Sequence, residues 1–144
     1  MKFTLDWLRD HLDTSENLNT ITDTLTNIGL EIESVEDKSE IFKNFTVAKV
    51  LKAEKHPDAD KLKVCQVETI NGNFQVVCGA PNAKEGILGI FAPENSYIPG
   101  TDLHLKKTKI RGIESCGMLV SEREMGISDE HEGIIEIKDN HKIV

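Results

Sequence analysis

The sequence predicts an all-β, five-stranded Greek-key barrel inserted in a small split α+β unit. Three observations lead there. Helical periodicity is confined to residues before Gly29, short apolar runs separated by turn signals fill the middle, and one strand-like run stands alone near the end. Several short strands with a brief helical interruption fit a small barrel, while an isolated terminal strand demands a partner outside it.

Thr4 stands at the N-cap of a first helix, in which Leu5, Leu8 and Leu12 recur at helical spacing and Asp6 meets the positive end of the dipole. Asp13-Thr14-Ser15 stops it. A second stripe, Leu18, Ile21, Leu25 and Ile28, ends at Gly29, where a left-handed residue closes a helix. Leu30-Glu31-Ile32-Glu33 then alternates with period two and predicts a half-buried strand. The expected barrel strands are 45–53, 61–70, 74–78, 86–92 and 103–111. Asn71-Gly72 marks a hairpin, because both residues tolerate positive φ. Gly79–Ala83 reads as a turn or one helical turn, and Pro99-Gly100 as a turn. Ser121-Glu122-Arg123-Glu124 has the spacing of a capping box, with Gly126 closing a short helix. Gly133–Ile137 is a further strand, whose simplest partner is Leu30–Val35. On this reading residues 1–40 and 128–144 form the split unit, and 41–127 the barrel inserted between them.

A chain of 144 residues, 38% hydrophobic and 29% charged, is ordinary for one or two small soluble domains. No apolar run approaches the roughly 18 residues of a membrane span. The start, Met1-Lys2-Phe3-Thr4-Leu5-Asp6, lacks the apolar core and cleavage site of a signal peptide, so a cytoplasmic location is expected. Cys65, Cys78 and Cys116 are odd in number and form no CxxC pair, which predicts reduced, mostly buried thiols. The net charge of −8 is unevenly spread. Residues 1–40 carry 3 Lys/Arg against 10 Asp/Glu, 128–144 carry 2 against 5, and 41–127 carry 12 against 10. The centre is mildly basic between acidic ends, which points to a phosphate-facing central module.

Two basic groups stand out. On a continuous strand, Lys107, Lys109 and Arg111 share one face at the roughly 6.5–7 Å spacing of alternate residues, close to the spacing of phosphates. The other reading is a solvated edge guarded by charge. Lys52, Lys55, Lys61 and Lys63 surround His56-Pro57-Asp58-Ala59-Asp60, the expected loop between the first two strands and a groove mouth in barrels of this type. His56 itself reads as a satisfied loop histidine. Phe74 and Phe91 read as core rather than as base-stacking platforms, which favours backbone and shape recognition. No P-loop, GxSxG or HExxH is present, so no catalytic residue is assigned. Asp129-Glu130-His131-Glu132 reads as a solvated acidic loop, and no metal site is expected.

His56-Pro57-Asp58-Ala59-Asp60-Lys61-Leu62, Val77-Cys78-Gly79-Ala80-Pro81-Asn82, Lys109-Ile110-Arg111-Gly112 with Ser115-Cys116-Gly117-Met118, and Ser121-Glu122 together resemble a tRNA-binding OB-type module. That module is shared by bacterial phenylalanine–tRNA ligase β subunits, some methionine–tRNA ligase tails, free-standing tRNA-binding proteins and cytokine-like factors. The ends, Met1-Lys2-Phe3-Thr4-Leu5 with Trp7-Leu8, Ile28 to Glu36, and Asp129 to Ile137, resemble the start of the phenylalanine ligase β subunit. The resemblance implies a piece of a longer subunit, in an α2β2 enzyme that attaches phenylalanine to tRNA with ATP and magnesium. It also implies an aminoacylation site on the α subunit, with neither cofactor held by this stretch. The expected partners are tRNA and the α subunit, with no membrane or DNA. The expected contacts are Lys52, Lys55, Lys61, Lys63, Lys107, Lys109 and Arg111, with the Ser121 hydroxyl as a further partner. The alternatives are a free-standing tRNA-binding protein and a protein–protein packing module whose lysines serve solubility.

Overall fold

The computed structural model describes residues 1–138 and divides into two compact units, Met1–Asp37 and a second beginning at Lys38. The first holds α1 (Leu5–His11) and α2 (Leu18–Asn27). Thr4 caps α1 by accepting from the Trp7 amide at 3.2 Å, and Asn17 caps α2 by accepting from the Thr20 amide at 2.9 Å. Thr24 and Thr26, poor helix formers, return their hydroxyls to the carbonyls of Thr20 and Thr22. Gly29 adopts φ +96° as expected. Its amide donates to Thr26 and that of Leu30 to Leu25, the paired bonds of a Schellman cap. The strand expected at Leu30–Val35 does not form: residues 30–38 carry no regular structure, and Leu30 and Val35 are exposed.

The second unit opens with the single turn α3 (Ser39–Phe42) and continues through β1 (Thr46–His56), β2 (Ala59–Thr69), β3 (Gly72–Cys78), β4 (Leu88–Pro93), β5 (Tyr97–Ile98), β6 (Leu103–His104), β7 (Thr108–Ile110), β8 (Ile113–Ser115) and β9 (Gly117–Leu119). The main sheet is antiparallel and five-stranded, in the order β3-β2-β1-β4-β9, and it is not closed. Its edge strands are bridged instead. The Cys116 amide donates to the Gln75 carbonyl at 2.9 Å, while the Ser115 hydroxyl accepts from Val77 at 3.1 Å and donates to Gly117 at 3.0 Å. Cys65 and Val67 on β2, Ala48 and Val50 on β1, Val76, Phe91 and Leu119 fill the core. Phe74 stacks on Phe91 within it, ring centroids 5.1 Å apart, so these two aromatics are core as expected.

The fifth strand is Gly117–Leu119, not 103–111. Residues 103–111 are broken into β6, a linker and β7, which form two-stranded ribbons with β5 and β8. β7 ends at Arg111 and Gly112, which at φ +48° and +84° make a two-residue turn that folds the chain back into β8. The β2–β3 turn is likewise shifted by one residue, falling on Ile70-Asn71 with Gly72 already paired to Thr69. The capping box at Ser121 forms both its bonds, but the segment remains a run of turns and not a helix.

One irregularity sets the faces of β1. Val50 pairs with Val67 and Lys52 with Gln66, leaving Leu51 as a surplus, bulged residue. The bulge keeps Lys52 on the outer side with Gln66 and returns Ala53 to the side of the buried Cys65.

Gly133–Ile137 is not assigned as a strand either. Its amides are satisfied by the barrel: Ile135 donates to Val120 at 3.0 Å and Ile137 to Leu88 at 2.9 Å, and Ile134 is buried in the core. Residues 139–144 of the expected return segment lie outside the described residues.

Candidate nucleic-acid interface

The β1–β2 hairpin ends in a tight turn at Pro57-Asp58, with His56 paired to Ala59. This is shorter than the loop expected from the sequence, because both strands run to its edge. The ladder is irregular below it: Lys55 pairs with Lys63, so Asp60, Lys61 and Leu62 have no partners on β1. Lys61 therefore projects from a bulged stretch, exposed.

His56 is buried, only 2% exposed, although it stands at a hairpin tip. Its Nδ1 accepts from the Asp58 amide at 3.0 Å, which leaves Nε2 to carry the proton and donate to the Ile110 carbonyl at 3.1 Å. Ile110 is the last residue of β7. Beside it, the Arg111 guanidinium donates to the Asp58 carbonyl at 3.4 Å. The tips of two hairpins distant in sequence are thus joined by two hydrogen bonds, one in each direction.

This joint gathers part of the expected set and disperses the rest. Lys55, Lys61, Lys109 and Arg111 belong to the joined hairpins, all of them exposed. Lys61 and Lys109 have no ion-pair partner among the described residues, while Lys55 pairs with Asp60 at 2.9 Å, both side chains open to water. Lys107 does not continue a row. It lies in the linker before β7, with its ammonium 3.3 Å from Glu114, and the hydrogen bond to that carboxylate, then its charge, raises the Lys107 pKa. Glu114 also sits opposite Lys109 in the ladder. The three-cation track is therefore corrected to Lys109 and Arg111 at a turn. Lys52 is paired with Glu54 at 2.6 Å on the outer face of β1, and that hydrogen bond raises its pKa.

Two further expected contacts are engaged within the fold. Lys63 points its ammonium at the carbonyls of Pro81 and Ala83, at 3.1 and 2.7 Å, and so braces the turn after β3. Ser121 is buried, its hydroxyl accepting from the Glu124 amide at 3.4 Å while its own amide donates to the Glu124 carboxylate at 2.6 Å.

Sequence reasoning missed two residues here. His56 is a connector between hairpins, and Glu114 is the counter-charge of the basic turn. Counting outward from the Arg111-Gly112 turn pairs residue 109 with 114, so Glu114 was accessible to a reading that ended the strand there. Nothing in the sequence names Ile110 as the acceptor for His56.

The opposite character prevails along β4. Asn82 donates to the Ile134 carbonyl at 2.8 Å and to Glu136 at 2.9 Å, and accepts from the Ile134 amide at 3.0 Å. The shallow groove beside it is lined by Glu122, Glu130, Glu132 and Glu136, with Lys138 as its one basic residue. Among the described residues no group of His, Cys, Asp and Glu could hold a metal ion, and no helix is long and apolar enough to cross a membrane. The three cysteines are free, Cys65 and Cys78 buried. Burial pushes the Cys65 thiol up to about 11 and also raises that of Cys78.

A five-stranded open barrel with cationic hairpin tips at its edge has the architecture of an OB-type domain. The chain belongs to the family described as "Putative tRNA binding domain", whose model matches residues 45–144. It is 55% identical over 141 residues to the phenylalanine–tRNA ligase beta subunit of Brucella abortus (strain 2308), covering 97% of this chain and 17% of that protein. It is 56% identical over 139 residues to the subunit of the same name from Mesorhizobium japonicum, covering 95% of this chain and 17% of the relative. Among solved structures it resembles the MetRS related protein from Pyrococcus horikoshii at 26% identity and a TM-score of 0.52, covering 76% of this chain and 94% of that one. The chain thus spans about a sixth, 17%, of the length of the curated relatives it matches.

Proposed function

We propose that the chain is the tRNA-binding module of a phenylalanine–tRNA ligase β subunit, aiding tRNA binding in the ATP-dependent attachment of phenylalanine to its tRNA. The single observation that carries this is the union of the β1–β2 and β7–β8 tips, which brings Lys55, Lys61, Lys109 and Arg111 to one end of the domain. Those four are the phosphate contacts of the proposal, with Lys52 and Lys107 able to join when phosphate displaces Glu54 and Glu114 from these exposed, weak pairs. ATP and Mg²⁺ belong to the whole enzyme and are held outside this chain. The partner beyond tRNA is the catalytic α subunit of an α2β2 assembly in the cytoplasm. Residues 1–40 are assigned to a unit that is completed by chain outside the barrel. The orphaned apolar side chains Ile28, Leu30 and Val35, all more than half exposed, support that assignment.

A fluorescence titration with tRNA at about 50 mM and about 200 mM salt tests the reading. Non-specific electrostatic binding with a Kd of ~10⁻⁴ to 10⁻⁶ M, weakening steeply with salt, is the expected result. Absence of binding at the lower salt leaves a protein-packing role for the barrel and overturns the proposal.

A further inference from the structure

We propose that His56 is the positioning residue of the RNA-binding end, and this rests on the function just given. The Nε2–H···O=C bond to Ile110 holds the Lys109–Arg111 turn against the hairpin that carries Lys55 and Lys61. The placement of His56 is anomalous. A two-residue hairpin tip is normally wet, and histidine has no intrinsic need to be buried there. Yet His56 is 2% exposed, and both ring nitrogens are satisfied by backbone groups. One bond is local and shapes the Pro57-Asp58 turn. The other crosses 54 residues of sequence to a strand that shares no ladder with β1.

That second bond matters because little else fixes the β7–β8 ribbon. It is only three residues long on each side and stands outside the main sheet. Short two-stranded ribbons are marginal by themselves. Its base is tied to β3, through Gln75 to the Glu114 carbonyl and through Ser115 to Val77. Its tip is tied by His56 and by the longer contact of Arg111 with Asp58 at 3.4 Å. Without the histidine bond, Arg111 would have to choose between holding the tip and meeting a phosphate. With it, the guanidinium keeps most of its donors for RNA and the cations keep a fixed separation, so less order has to be imposed on binding.

The two nitrogens can be separated by substitution. In His56→Gln the side-chain amide nitrogen reaches the place of Nε2 and keeps the bond to Ile110, while the turn acceptor is lost. In His56→Asn the side-chain oxygen stands where Nδ1 was and keeps the Asp58 amide satisfied, while Ile110 is out of reach. A merely structural histidine predicts that tRNA affinity follows stability in both variants. A positioning histidine predicts a split. For the 144-residue chain, His56→Asn should weaken tRNA binding by roughly tenfold. The slope of log Kd on log salt should fall by the equivalent of one or two phosphate contacts, each worth about 0.7–0.9. His56→Gln should stay within about threefold of the parent with the slope unchanged.

Thr69→Ala, at the far end of β2, is the control for loss of stability alone, because its hydroxyl serves only the β2–β3 turn. In parallel, ¹⁵N-histidine spectra should show the Nε2–H tautomer at His56. Equal affinities for the Asn and Gln variants, or an Nδ1–H tautomer, overturn the assignment of His56 while leaving the tRNA-binding reading intact. A parent chain that does not bind tRNA sinks both.

Discussion

At one end of the barrel, the β1–β2 and β7–β8 tips meet through His56 and Arg111, and the cations around them face water. Along β4, the segment after Gly126 is pinned by Asn82 amid four glutamates. Both places join chain segments more than 50 residues apart through side-chain to backbone hydrogen bonds. They differ in what the joint leaves over. The tips leave ammonium and guanidinium groups without strong partners, whereas the seam leaves carboxylates. A domain of this size segregates charge by choosing which segments to latch where, and overall net charge says little about what any one end will bind.

The sharpest way to break the comparison is to cut the seam. Asn82→Ala strips two backbone groups of Ile134 of their partner, and each buried orphan costs about 1–3 kcal/mol. Urea unfolding should therefore report a loss of about 2–6 kcal/mol, with the Kd for tRNA unchanged within about twofold. A matching loss of RNA affinity would show that the two ends are coupled.

Next comes the tip. Reversing Lys61, Lys109 and Arg111 together to glutamate should weaken tRNA binding by about thirtyfold or more at low salt, since about three phosphate contacts are removed. The thermal midpoint should fall only modestly, because Arg111 loses its bond to the Asp58 carbonyl and the reversed charge at position 109 then opposes Glu114 in the ladder. An unchanged Kd would favour a packing surface instead.

A smaller effect belongs to the core between the two ends. The Cys65 thiol ionises at about 11 when folded, against 9.0 ordinarily, because burial penalises the thiolate. A raised folded pKa means that the folded state holds its proton longer. The contribution is full below pH 9.0 and is lost as the pH climbs toward about 11. Unfolding free energy measured across that window should fall, and Cys65→Val should flatten the decline.

The least effect is expected from the paired lysines. Lys52→Ala and Lys107→Ala each remove one exposed ion pair and at most one secondary phosphate contact, so stability should change by less than about 1 kcal/mol and affinity by about threefold or less. A larger change in affinity at either position would enlarge the binding surface beyond the tips.

Much of the fold was legible because local chemistry decided it. Thr4, Gly29 and the Ser121–Glu124 box make the bonds their positions foretell. Four of the five sheet strands fall where apolar runs met turn residues. The fifth was misplaced because Lys106 to Arg111 has the alternation of a strand, yet Arg111-Gly112 is itself a hairpin turn that ends it. The strands expected at Leu30–Val35 and Gly133–Ile137 failed for a different reason. Period-two patterning shows that a segment could bury one face, but not whether a partner is at hand or which groups supply the hydrogen bonds. For Ile135 and Ile137 the partners are Val120 and Leu88. At the interface, residue type named cations but not their partners. Whether each lysine is spent on Glu54, Glu114 or the Pro81 carbonyl depends on pairings that only the folded chain creates.

The surplus residue at Leu51 leaves β1 with one elastic link. Removing it would let Val50 and Lys52 follow each other in plain alternation, and every later side chain would keep its present side. Deleting Ala53 has no such slack: whichever way the bulge resolves, Lys52 or Glu54 would take its place against Cys65. Loss of one residue should therefore be tolerated at the bulge and rejected at Ala53.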